Sequence, residues 1–490
     1  MTVFSKPRAL HAAASLAITV SALFAGAGVA QARDAALPPM FDDLQRRTFD
    51  FFWETANPAN GLVPDRYPTP SFSSVAAVGF GLTAYPIGVE RGYVTRQQAR
   101  DRVLATLRFF RNAPQGDAKG TSTSGYKGFF YHFLDMKTGL RHDKVELSTV
   151  DTALFLAGAL FCQSYFDGDD PAEKEIRKLA AEIYERVDWT WAQARKPSIA
   201  LGWHPESGFI PYDWKGYNEA MLVYVLALGS PTHPVQPDAW KAWTSTYANS
   251  LEGKGDKEHL AYPSLFIHQY SHVWIDFRGI RDEYMGKRGY DYFENSRRAT
   301  YAQQAYAIAN PLRCKGYGAN VWGITASDGP VDKTLDYGGI KLPFRTYTAR
   351  GIGGLKHYDD CTLAPTAAAS SLPFAPEIVV PAVLEMKKRY GDWIYGRYGF
   401  LDAFNPSFDY DIPVSQGHTI KGKGWVDNDY LGIDQGPILA MTENYRSDFV
   451  WRVMRGHPVI RRGLERAGFT GGWLKQPEKV KPAAEMAPAQ

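Results

Sequence analysis

Four acidic residues stand where polar loops lead into apolar runs of the sequence, and their types suit acid–base chemistry. Glu146 and Asp151 lie in VELSTVDTALF, Glu219 in KGYNEAML and Asp434 in WVDNDYLGIDQGPIL. A pair of carboxyl groups cleaves a glycosidic bond when one donates a proton to the leaving oxygen and the other activates water or attacks the sugar. Each acid also has a structural interpretation, because carboxylates commonly cap helix N-termini. Their recurrence at the start of apolar segments favours the catalytic interpretation.

Two kinds of helical segment alternate along the chain and would have to position these acids. One kind is apolar on all sides and must be covered, whereas the other carries a charged face that meets water. The apolar segments are 74–89, 150–161, 219–229, 264–275, 364–386 and 436–445. The amphipathic segments are 96–112, 171–194, 237–253, 291–310 and 447–468.

This alternation predicts an all-α fold in which an outer ring of helices covers an inner ring, an (α/α)6 barrel or toroid. If the inner helices all begin at one rim, the four acids converge in one bowl. A long helical bundle without ring closure is the competing architecture. Strand-like stretches at 125–135 and 398–405 are expected to form small hairpins or loops at the mouth of the active site.

The composition describes a globular protein with a large core. The chain has 490 residues, of which 45% are hydrophobic and 14% aromatic. A net charge of +3 from interspersed acids and bases gives no reason to expect nucleic acid or an anionic membrane as a partner. Most aromatic rings must pack the core, but flat apolar rings also match the CH faces of pyranoses. The candidates for stacking on sugar are Trp203, Tyr217, Trp274, Trp322 and Trp425.

Residues 1–32 are predicted to be a cleavable export signal that is cut after Ala32. Lys6 and Arg8 supply the basic start, an apolar stretch follows, and Ala30-Gln31-Ala32 gives the small-x-small cleavage pattern. No later run is long and apolar enough to span a bilayer. We therefore expect a periplasmic or secreted monomer with one domain over 33–475. The Lys-, Pro- and Ala-rich tail over 476–490 is expected to be disordered.

The cysteine and histidine spacings favour one disulfide and no metal site. In an oxidising compartment Cys314 and Cys361 are the expected pair, since both lie in loop-like sequence, and Cys162 ends an apolar run as a buried free thiol. His268 and His272 are four residues apart, but no metalloprotease glutamate lies between them, so structural or substrate-contact roles are favoured. No phosphate-binding, dinucleotide-binding or G-x-S-x-G motif occurs, and we expect no cofactor.

Several longer stretches resemble the bacterial glucoamylase-like domain. They are SLFIHQYSHVWIDFRGIRD, DYFENSRRAT, VWGITASDGP and GIDQGPILAMTENYRS. That group includes the endo-β-1,2-glucanases of glycoside hydrolase family 144 and related families active on β-1,2-glucan, and the resemblance covers nearly the whole chain after the signal. It implies an (α/α)6 barrel that cleaves linear or cyclic β-1,2-glucan, such as osmoregulated periplasmic glucan, with inversion and without a metal.

The resemblance also implies roles for the four acids. Glu219 in GYNEAM is similar to the general acid of the family, and Asp434 in GIDQGP to the acid proposed as its base. Asp151 and Glu146 are similar to further acids that line the cleft. A general acid needs a raised pKa to hold its proton near neutrality, and burial beside Asp151 or Asp213 would raise that of Glu219.

The remaining predicted substrate contacts lie in the loop that follows the fourth apolar segment. His272 and Arg278 are expected to hydrogen-bond glucose hydroxyls, and Trp274 and Asp276 lie in the same motif.

Two other functions remain open from the sequence. A polysaccharide lyase on the same barrel would need a Tyr or His base and a cation beside a uronate, for which His268, His272, Tyr270 and Arg278 are available. A non-catalytic periplasmic glucan-binding protein is the second, although several converging carboxylates are more than a neutral sugar needs for binding.

Overall fold

The structure is a computed structural model that describes residues 36–354 and 357–475. The predicted signal (1–32) and the predicted tail (476–490) lie outside the described residues. Within the described ranges, none of the helices combines the length and apolar composition that crossing a bilayer requires.

Helices dominate the described residues. They are α1 (Met40–Thr55), α2 (Val75–Glu90), α3 (Arg96–Asn112), α4 (Thr149–Tyr165), α5 (Pro171–Glu185), α6 (Met221–Gly229), α7 (Asp238–Thr244), α8 (Tyr270–Trp274), α9 (Glu283–Arg288), α10 (Tyr292–Ala309), α11 (Pro365–Ala369), α12 (Pro376–Ile394), α13 (Gly432–Ser447), α14 (Phe449–Arg455) and α15 (Pro458–Arg466).

Short strands accompany the helices. They are β1 (Arg66–Tyr67), β2 (Ser73–Ser74), β3 (Gly125–Tyr126), β4 (Phe129–Tyr131), β5 (Phe133–Leu134), β6 (Leu147–Ser148), β7 (Gly202–His204), β8 (Gly208–Phe209), β9 (Leu251–Glu252), β10 (His259–Leu260), β11 (Ile280–Arg281), β12 (Ala326–Asp328), β13 (Lys333–Tyr337), β14 (Ile340–Phe344), β15 (Tyr347–Ala349), β16 (Tyr395–Gly396), β17 (Gly399–Phe400), β18 (Phe404–Asn405), β19 (His418–Ile420), β20 (Gly424–Val426), β21 (Tyr430–Leu431) and β22 (Thr470–Gly471).

The strands form small sheets, mostly of two strands. The larger ones have the orders β18–β20–β19 and β3–β4–β6–β7–β8. The expected hairpin at 125–135 is confirmed by the pairing of β3 with β4, within a five-stranded sheet that also contains β6, β7 and β8. The stretch 398–405 is not a hairpin of its own, because β17 pairs with β16 and β18 pairs with β20. Sequence pattern did not show this because those strands are two or three residues long.

The apolar segments form the buried helices, and glycines let their backbones touch. A Cβ atom built at Gly158 of α4 would lie 2.2 Å from the carbonyl oxygen of Gly79 in α2. Further along the same pair, the Cys162 thiol lies 3.0 Å from the carbonyl oxygen of Leu82. From the first contact to the second, the residue number rises in both helices, so α2 and α4 run parallel. On the other side of α2, a Cβ at Gly436 of α13 would lie 2.2 Å from the Phe80 ring.

The other buried helices are connected by hydrogen bonds between residues of their first turns. The Ser271 hydroxyl of α8 accepts from the Leu222 amide of α6 at 3.1 Å. Tyr270 of α8 donates to the Ile433 carbonyl of α13 at 2.9 Å, and Thr366 of α11 donates to the Asp434 carbonyl of α13 at 3.3 Å. Since each bond joins the N-terminal turns of two helices, α6, α8, α11 and α13 begin at the same end of the protein.

Three of these helix starts are fixed by strands. β2 leads into α2, β6 into α4 and β21 into α13, and Ser74 and Ser148 cap the first two helices by accepting from backbone amides. β2 pairs with β5, β6 lies in the five-stranded sheet, and β21 pairs with β1. These small sheets therefore hold the N-terminal ends of α2, α4 and α13.

Two predicted segments are each divided. The apolar segment 364–386 is not one helix: α11 ends at Ala369, and α12 starts at Pro376, where a missing amide hydrogen costs no helical bond. The amphipathic segment 447–468 is likewise split into α14 and α15, with Pro458 first in α15.

The cysteine prediction is confirmed. Cys314 and Cys361 form a disulfide with a Cα–Cα distance of 5.4 Å, and Cys162 is a buried free thiol. The bridge joins the loop after α10 to the loop before α11.

The glycine contact between α2 and α4 predicts the outcome of a single methyl addition. Gly158→Ala places its Cβ against backbone rather than against a movable side chain, so the two helices must separate. We expect the free energy of unfolding in urea to fall by roughly 1–3 kcal/mol. Gly286→Ala in α9 is the control, because a Cβ there meets nothing within 4 Å. It should raise stability by up to about 1 kcal/mol, and equal effects of the two substitutions would contradict the packing described.

Candidate active site

Three of the four predicted acids meet around one tyrosine at the N-terminal end of the inner helices. Tyr270 begins α8, and its hydroxyl donates to the Ile433 carbonyl at 2.9 Å. Burial raises the pKa of this phenol, and the nearby charges of Asp434, Glu219 and Asp151 raise it further. Residues far apart in the sequence therefore face one small volume.

Glu219 lies in the turn before α6 rather than inside that helix. The helix begins at Met221, and no hydrogen bond or ion pair to the Glu219 carboxyl group is present among the described residues. Burial, followed by the negative charge of Asp151, raises the pKa of Glu219 to about 8, with the charge of His132 acting in the opposite direction. A carboxyl group with this pKa is mainly protonated at neutral pH, which is the form a general acid needs.

The acid expected to raise the pKa of Glu219 is Asp151 and not Asp213. The Asp213 carboxylate forms an ion pair with Arg195 at 2.7 Å, which neutralises the negative charge of Asp213. Asp151 is the third residue of α4, where Ser148 both donates to its carboxylate and accepts from its amide.

A histidine that sequence reasoning missed joins two of the predicted acids. His132 lies between β4 and β5, and its Nδ1 is 2.8 Å from Glu146 Oε1 while its Nε2 is 3.5 Å from Asp151 Oδ1. Although burial opposes protonation, the charges of Asp151 and Glu146 raise the pKa of His132 to about 9. The imidazolium in turn holds the pKa of Glu146 below its usual value despite the burial of that carboxyl. This half of the site is thus a cation between two carboxylates.

Asp434 lies in a second, more acidic group. It is the third residue of α13, and its Oδ2 is buried without a hydrogen-bond partner among the described residues. Burial raises its pKa, Asp328 and Asp427 add to the rise, and a hydrogen bond with Asp402 opposes it. Burial and the charge of Asp434 likewise raise the pKa of Asp402. Asp434 and Asp402 are therefore close enough to share a proton.

Some aromatic side chains near the acids remain accessible, among them Trp203 and Tyr347. Trp203 in β7 is half-buried, stacks on Tyr126 at 5.1 Å, and stands opposite Leu147, the residue after Glu146. Tyr347 in β15 is 60% exposed and lies close enough to Glu219 and Asp402 for their charges to raise its pKa. Tyr347, which sequence reasoning did not select, is therefore an exposed ring in the neighbourhood of Glu219.

The other predicted stacking residues are core residues, which corrects the sequence-based expectation. All four have at most 2% of their surface exposed, so no face is available to a sugar. They are Tyr217, Trp274, Trp322 and Trp425. Hydrogen bonds explain two of the positions, since Trp274 donates to Thr83 and Trp425 to the Gln416 carbonyl.

The predicted contacts around His272 are corrected as well. His272 is buried against the Ser296 hydroxyl at 3.1 Å, and burial lowers its pKa to about 3. Asp276 follows the C-terminal end of α8 and pairs with Arg278 at 2.7 Å and with Arg455 at 2.5 Å. Arg278 also pairs with Asp448, the C-cap of α13. These residues stabilise the end of the helices opposite the acids.

The positions of these residues in the structure also argue against the polysaccharide lyase alternative. Its cation, Arg278, is neutralised at the opposite end, and His268 is buried against the Tyr217 hydroxyl at 3.1 Å. Tyr270 is the one member of that set beside the acids.

Several residues of the site gave no local signal in the sequence. His132 sits within a hairpin of otherwise apolar residues, and Asp328, Asp402 and Asp427 come from three separate loops. Asp328 and Asp427 did lie in quoted motifs, ITASDGP and WVDNDY, so motif membership was the available clue.

Comparison with known proteins places the chain in a family. A family model described as putative glucoamylase matches residues 211–458. An exo-β-1,2-glucooligosaccharide sophorohydrolase (non-reducing end) of Parabacteroides distasonis is 28% identical over 462 residues, covering 87% of this chain. This chain spans 57% of the length of that relative.

Two solved structures share the fold over most of the chain. A putative glucoamylase from Bacteroides uniformis has 31% identity and a TM-score of 0.75, covering 90% of this chain and 100% of that one. An endo-β-1,2-glucanase from Chitinophaga pinensis, in complex with sophorotriose and glucose, has 27% identity, a TM-score of 0.76 and the same two coverages.

The family match extends over more than half of the chain and contains Glu219, Asp402 and Asp434. Together with the full-length similarity to the Bacteroides uniformis protein, it shows that this chain belongs to the putative glucoamylase family.

Proposed function

We propose that this protein is a glycoside hydrolase that cleaves β-1,2-linked glucan by an inverting acid–base mechanism. The observation that carries the proposal is a half-buried glutamic acid, Glu219, whose pKa is raised to about 8 at a site shared with Asp434. The substrate class comes from the relatives, a β-1,2-glucooligosaccharide sophorohydrolase and an endo-β-1,2-glucanase.

The scaffold of this activity is, in our proposal, an (α/α)6 barrel. The inner helices would be α2, α4, α6, α8, α11 and α13, all beginning at one end. The hydrogen bonds from Gln269 to the Ala367 carbonyl and to Ser371, both at 2.8 Å, support the step between α8 and α11. Packing of Gly79 on Gly158 and of Gly436 on Phe80 supports the steps on either side of α2.

Glu219 acts as the general acid. Its proton passes to the glycosidic oxygen as the bond from that oxygen to the anomeric carbon breaks, so the leaving sugar departs as an alcohol. Asp151 helps to keep Glu219 protonated beforehand. His132 limits the effect by neutralising part of the Asp151 charge, so Glu219 remains acidic enough to give up its proton.

Asp434 acts as the base. An attacking water bonds to the anomeric carbon and transfers a proton toward Asp434, directly or through a hydroxyl group of the substrate. Water enters from the face opposite the departing oxygen, which inverts the configuration. Burial and the neighbouring aspartates raise the pKa of Asp434 to about 7, so the group is partly ionised near neutral pH. Its place as the third residue of α13 favours that ionised form through the helix dipole.

Substrate recognition would use the accessible residues beside these acids. Trp203 and Tyr347 offer ring faces for glucose, and Glu146 offers carboxylate oxygens for sugar hydroxyls. The buried rings named above take no part.

We also propose that the protein works as a monomer in the periplasm or outside the cell. The Cys314–Cys361 disulfide supports export, because disulfides persist in oxidising compartments. The predicted signal over 1–32 supports the same location.

A panel of glucans tests the activity and its acid together. The protein should release oligosaccharides from β-1,2-glucan and not from β-1,3-, β-1,4- or α-1,4-glucan, as measured by product chromatography. Glu219→Gln removes the transferable proton and should lower kcat/KM by roughly 10²–10⁴-fold, with little change in thermal stability because the neutral amide has nearly the same shape as the protonated carboxyl group that it replaces. Glu283→Gln on the exposed face of α9 is the control and should leave the rate unchanged.

Tight glucan binding without any product would favour the non-catalytic alternative instead. Wild-type activity in Glu219→Gln would remove Glu219 from the mechanism.

The base is tested by Asp434→Asn together with product stereochemistry. The substitution keeps the side-chain shape but cannot accept the proton, so kcat should fall by roughly 10²–10⁴-fold. Nuclear magnetic resonance of the first wild-type product should show the α-anomer. A first product in the β configuration, or an undiminished kcat in the variant, would contradict the role of Asp434.

The pH profile tests the electrostatic link between Asp151 and Glu219. The groups that face Glu219 are Asp151, His132, Tyr262, Tyr270 and Tyr347. Since protonated Glu219 is the active form, kcat/KM should fall as pH rises through about 8.

Removal of the Asp151 charge should move this fall to lower pH. The residual activity of Asp151→Asn is measured from pH 5 to about 10. The pH at which this activity falls shows the direction in which the pKa of Glu219 has shifted. Asp213→Asn is the matched control, because Arg195 already pairs with that carboxylate. A fall at the same pH in all three proteins would exclude Asp151 as a cause of the raised pKa.

A further inference from the structure

The short segment that carries Glu219 is held in place by a buried asparagine. Asn218 has 8% of its surface exposed, and both polar atoms of its side chain are hydrogen-bonded. Its Oδ1 accepts from the Ala220 amide at 3.0 Å and from the Trp243 indole at 3.3 Å, and its Nδ2 donates to the Lys215 carbonyl at 3.1 Å. We propose that Asn218 is a positioning residue that holds Glu219 in a turn outside the first turn of α6. This inference rests on the proposed role of Glu219 as the general acid.

The hydrogen bond to Ala220 keeps this stretch from joining the helix. An asparagine side chain that accepts from the amide two residues later forms an Asx turn, which competes with helical hydrogen bonding. The first helical hydrogen bond of α6 accordingly runs from the Tyr224 amide to the Ala220 carbonyl. Glu219 therefore precedes the helix, although the apolar residues that follow it are helical as far as Gly229.

One residue of α7 holds the turn from one side. The Trp243 carbonyl accepts from the Gly216 amide at 2.8 Å, while its indole donates to Asn218. Trp243 is fully buried, so both hydrogen bonds are shielded from water. Gly216 has a φ of 78°, which lies in the left-handed region that favours glycine. The position of the turn is thus fixed at two points on α7.

α8 holds the same turn through a serine. The Ser271 hydroxyl donates to the Glu219 carbonyl at 3.3 Å and accepts from the Leu222 amide at 3.1 Å. The carboxyl group of Glu219, in contrast, has no hydrogen bond or ion pair among the described residues. These contacts therefore fix the backbone of Glu219 and leave its carboxyl group available to a substrate.

Loss of the turn would change both the direction and the acidity of Glu219. Successive residues of a helix are rotated by about 100°, so a carboxyl group taken into the first turn of α6 would point in a new direction. A helix N-terminus also favours the ionised form of a carboxyl group. That effect would lower the pKa of Glu219 and oppose its action as a proton donor.

The titratable groups around Glu219 come from several elements. They are Asp151 of α4, His132 between β4 and β5, Tyr262 after β10, Tyr270 of α8 and Tyr347 of β15. Because none of these five residues is substituted in the test variants, a changed pH dependence reports on the position of Glu219 itself.

Asn218→Ala removes all three side-chain hydrogen bonds and tests the proposal in the full chain. With β-1,2-glucan, kcat should fall roughly 10²-fold while KM changes little, since the substrate still binds but meets a displaced acid. The fall of kcat/KM at high pH should move to lower pH by roughly 0.2–0.7 unit. Asn218→Ser keeps an acceptor for the Ala220 amide and should restore part of the rate.

Trp243→Phe is a milder variant that decides the question where Asn218→Ala fails to fold. It keeps a buried aromatic ring and the backbone bond to Gly216, and removes only the indole donor to Asn218. It should lower kcat and shift the pH profile in the same direction as Asn218→Ala, by a smaller amount.

Asn444→Ala is the matched control for an effect of stability alone. Asn444 is also buried and connects α13 to α8 and α14, through the Val273 carbonyl at 3.0 Å and the Trp451 amide at 3.1 Å. Both alanine variants should lower the thermal midpoint, because each leaves buried hydrogen-bonding partners unpaired. Asn444→Ala should nevertheless keep the wild-type kcat and pH profile.

A direct titration of Glu219 separates this proposal from the hydrolase activity. Infrared difference spectra against a matched protein with Glu219→Gln isolate the protonated carboxyl group of Glu219, whether or not any glucan is cleaved. The titration midpoint should lie at lower pH in Asn218→Ala than in the unsubstituted protein. If that shift is present but the unsubstituted protein cleaves no glucan, the proposed function fails and the positioning by Asn218 stands.

The proposal is overturned if Asn218→Ala keeps both the wild-type kcat and the wild-type titration midpoint of Glu219. It is also overturned if Asn444→Ala lowers kcat and shifts the pH profile as much as Asn218→Ala does. The effect would then follow the loss of stability and not the position of Glu219.

Discussion

The close packing of the buried helices is the constraint on which the site depends. Gly79 and Gly158 bring α2 and α4 into backbone contact, and Gly436 lets α13 pack closely on the Phe80 ring of α2. Because neighbouring helices start at one end, acids placed in the first turn of each helix are forced together. Like charges at such distances repel, so the fold tolerates them only by protonation or by pairing.

The two halves of the site reduce that repulsion in different ways. Near Glu219, the imidazolium of His132 stands between Glu146 and Asp151, and Glu219 itself keeps its proton. Near Asp434, Arg66 forms ion pairs with Asp328, Asp65 and Asp429. In the proposed mechanism the first half supplies the proton donor, and the second half, with its concentrated negative charge, supplies the proton acceptor. Two carboxyl groups with different surroundings can thus perform opposite steps of one reaction.

The sequence predicted the parts of this protein that have a local pattern. Apolar and amphipathic periodicity located α2, α3, α4, α10 and α13 to within a few residues, and the polar residues before the apolar runs identified Asp151, Glu219 and Asp434. The motifs identified the family. Loop composition identified the Cys314–Cys361 pair.

The parts that failed depend on tertiary contacts. The sequence around a tryptophan in a motif loop does not show whether its ring is exposed or, like those of Trp274 and Trp425, fully buried. Asp276 and Arg278 lie in a motif but follow the C-terminal end of their helix, which only the helix direction reveals. The three aspartates that come from separate loops were missed because they are more than twenty residues apart and no spacing rule connects them. The expectation of no metal, which came from histidine and cysteine spacing and from the family resemblance, stays a prediction.

The most direct test of the central claim is a crystal structure of Glu219→Gln with a β-1,2-linked gluco-oligosaccharide bound. The account predicts that a glycosidic oxygen lies within hydrogen-bonding distance, about 2.6–3.2 Å, of the side chain at position 219. Asp434 should then face the anomeric carbon from the opposite side, with room for a water molecule. An oligosaccharide bound at the C-terminal end of the inner helices, or with no linkage near position 219, would contradict it.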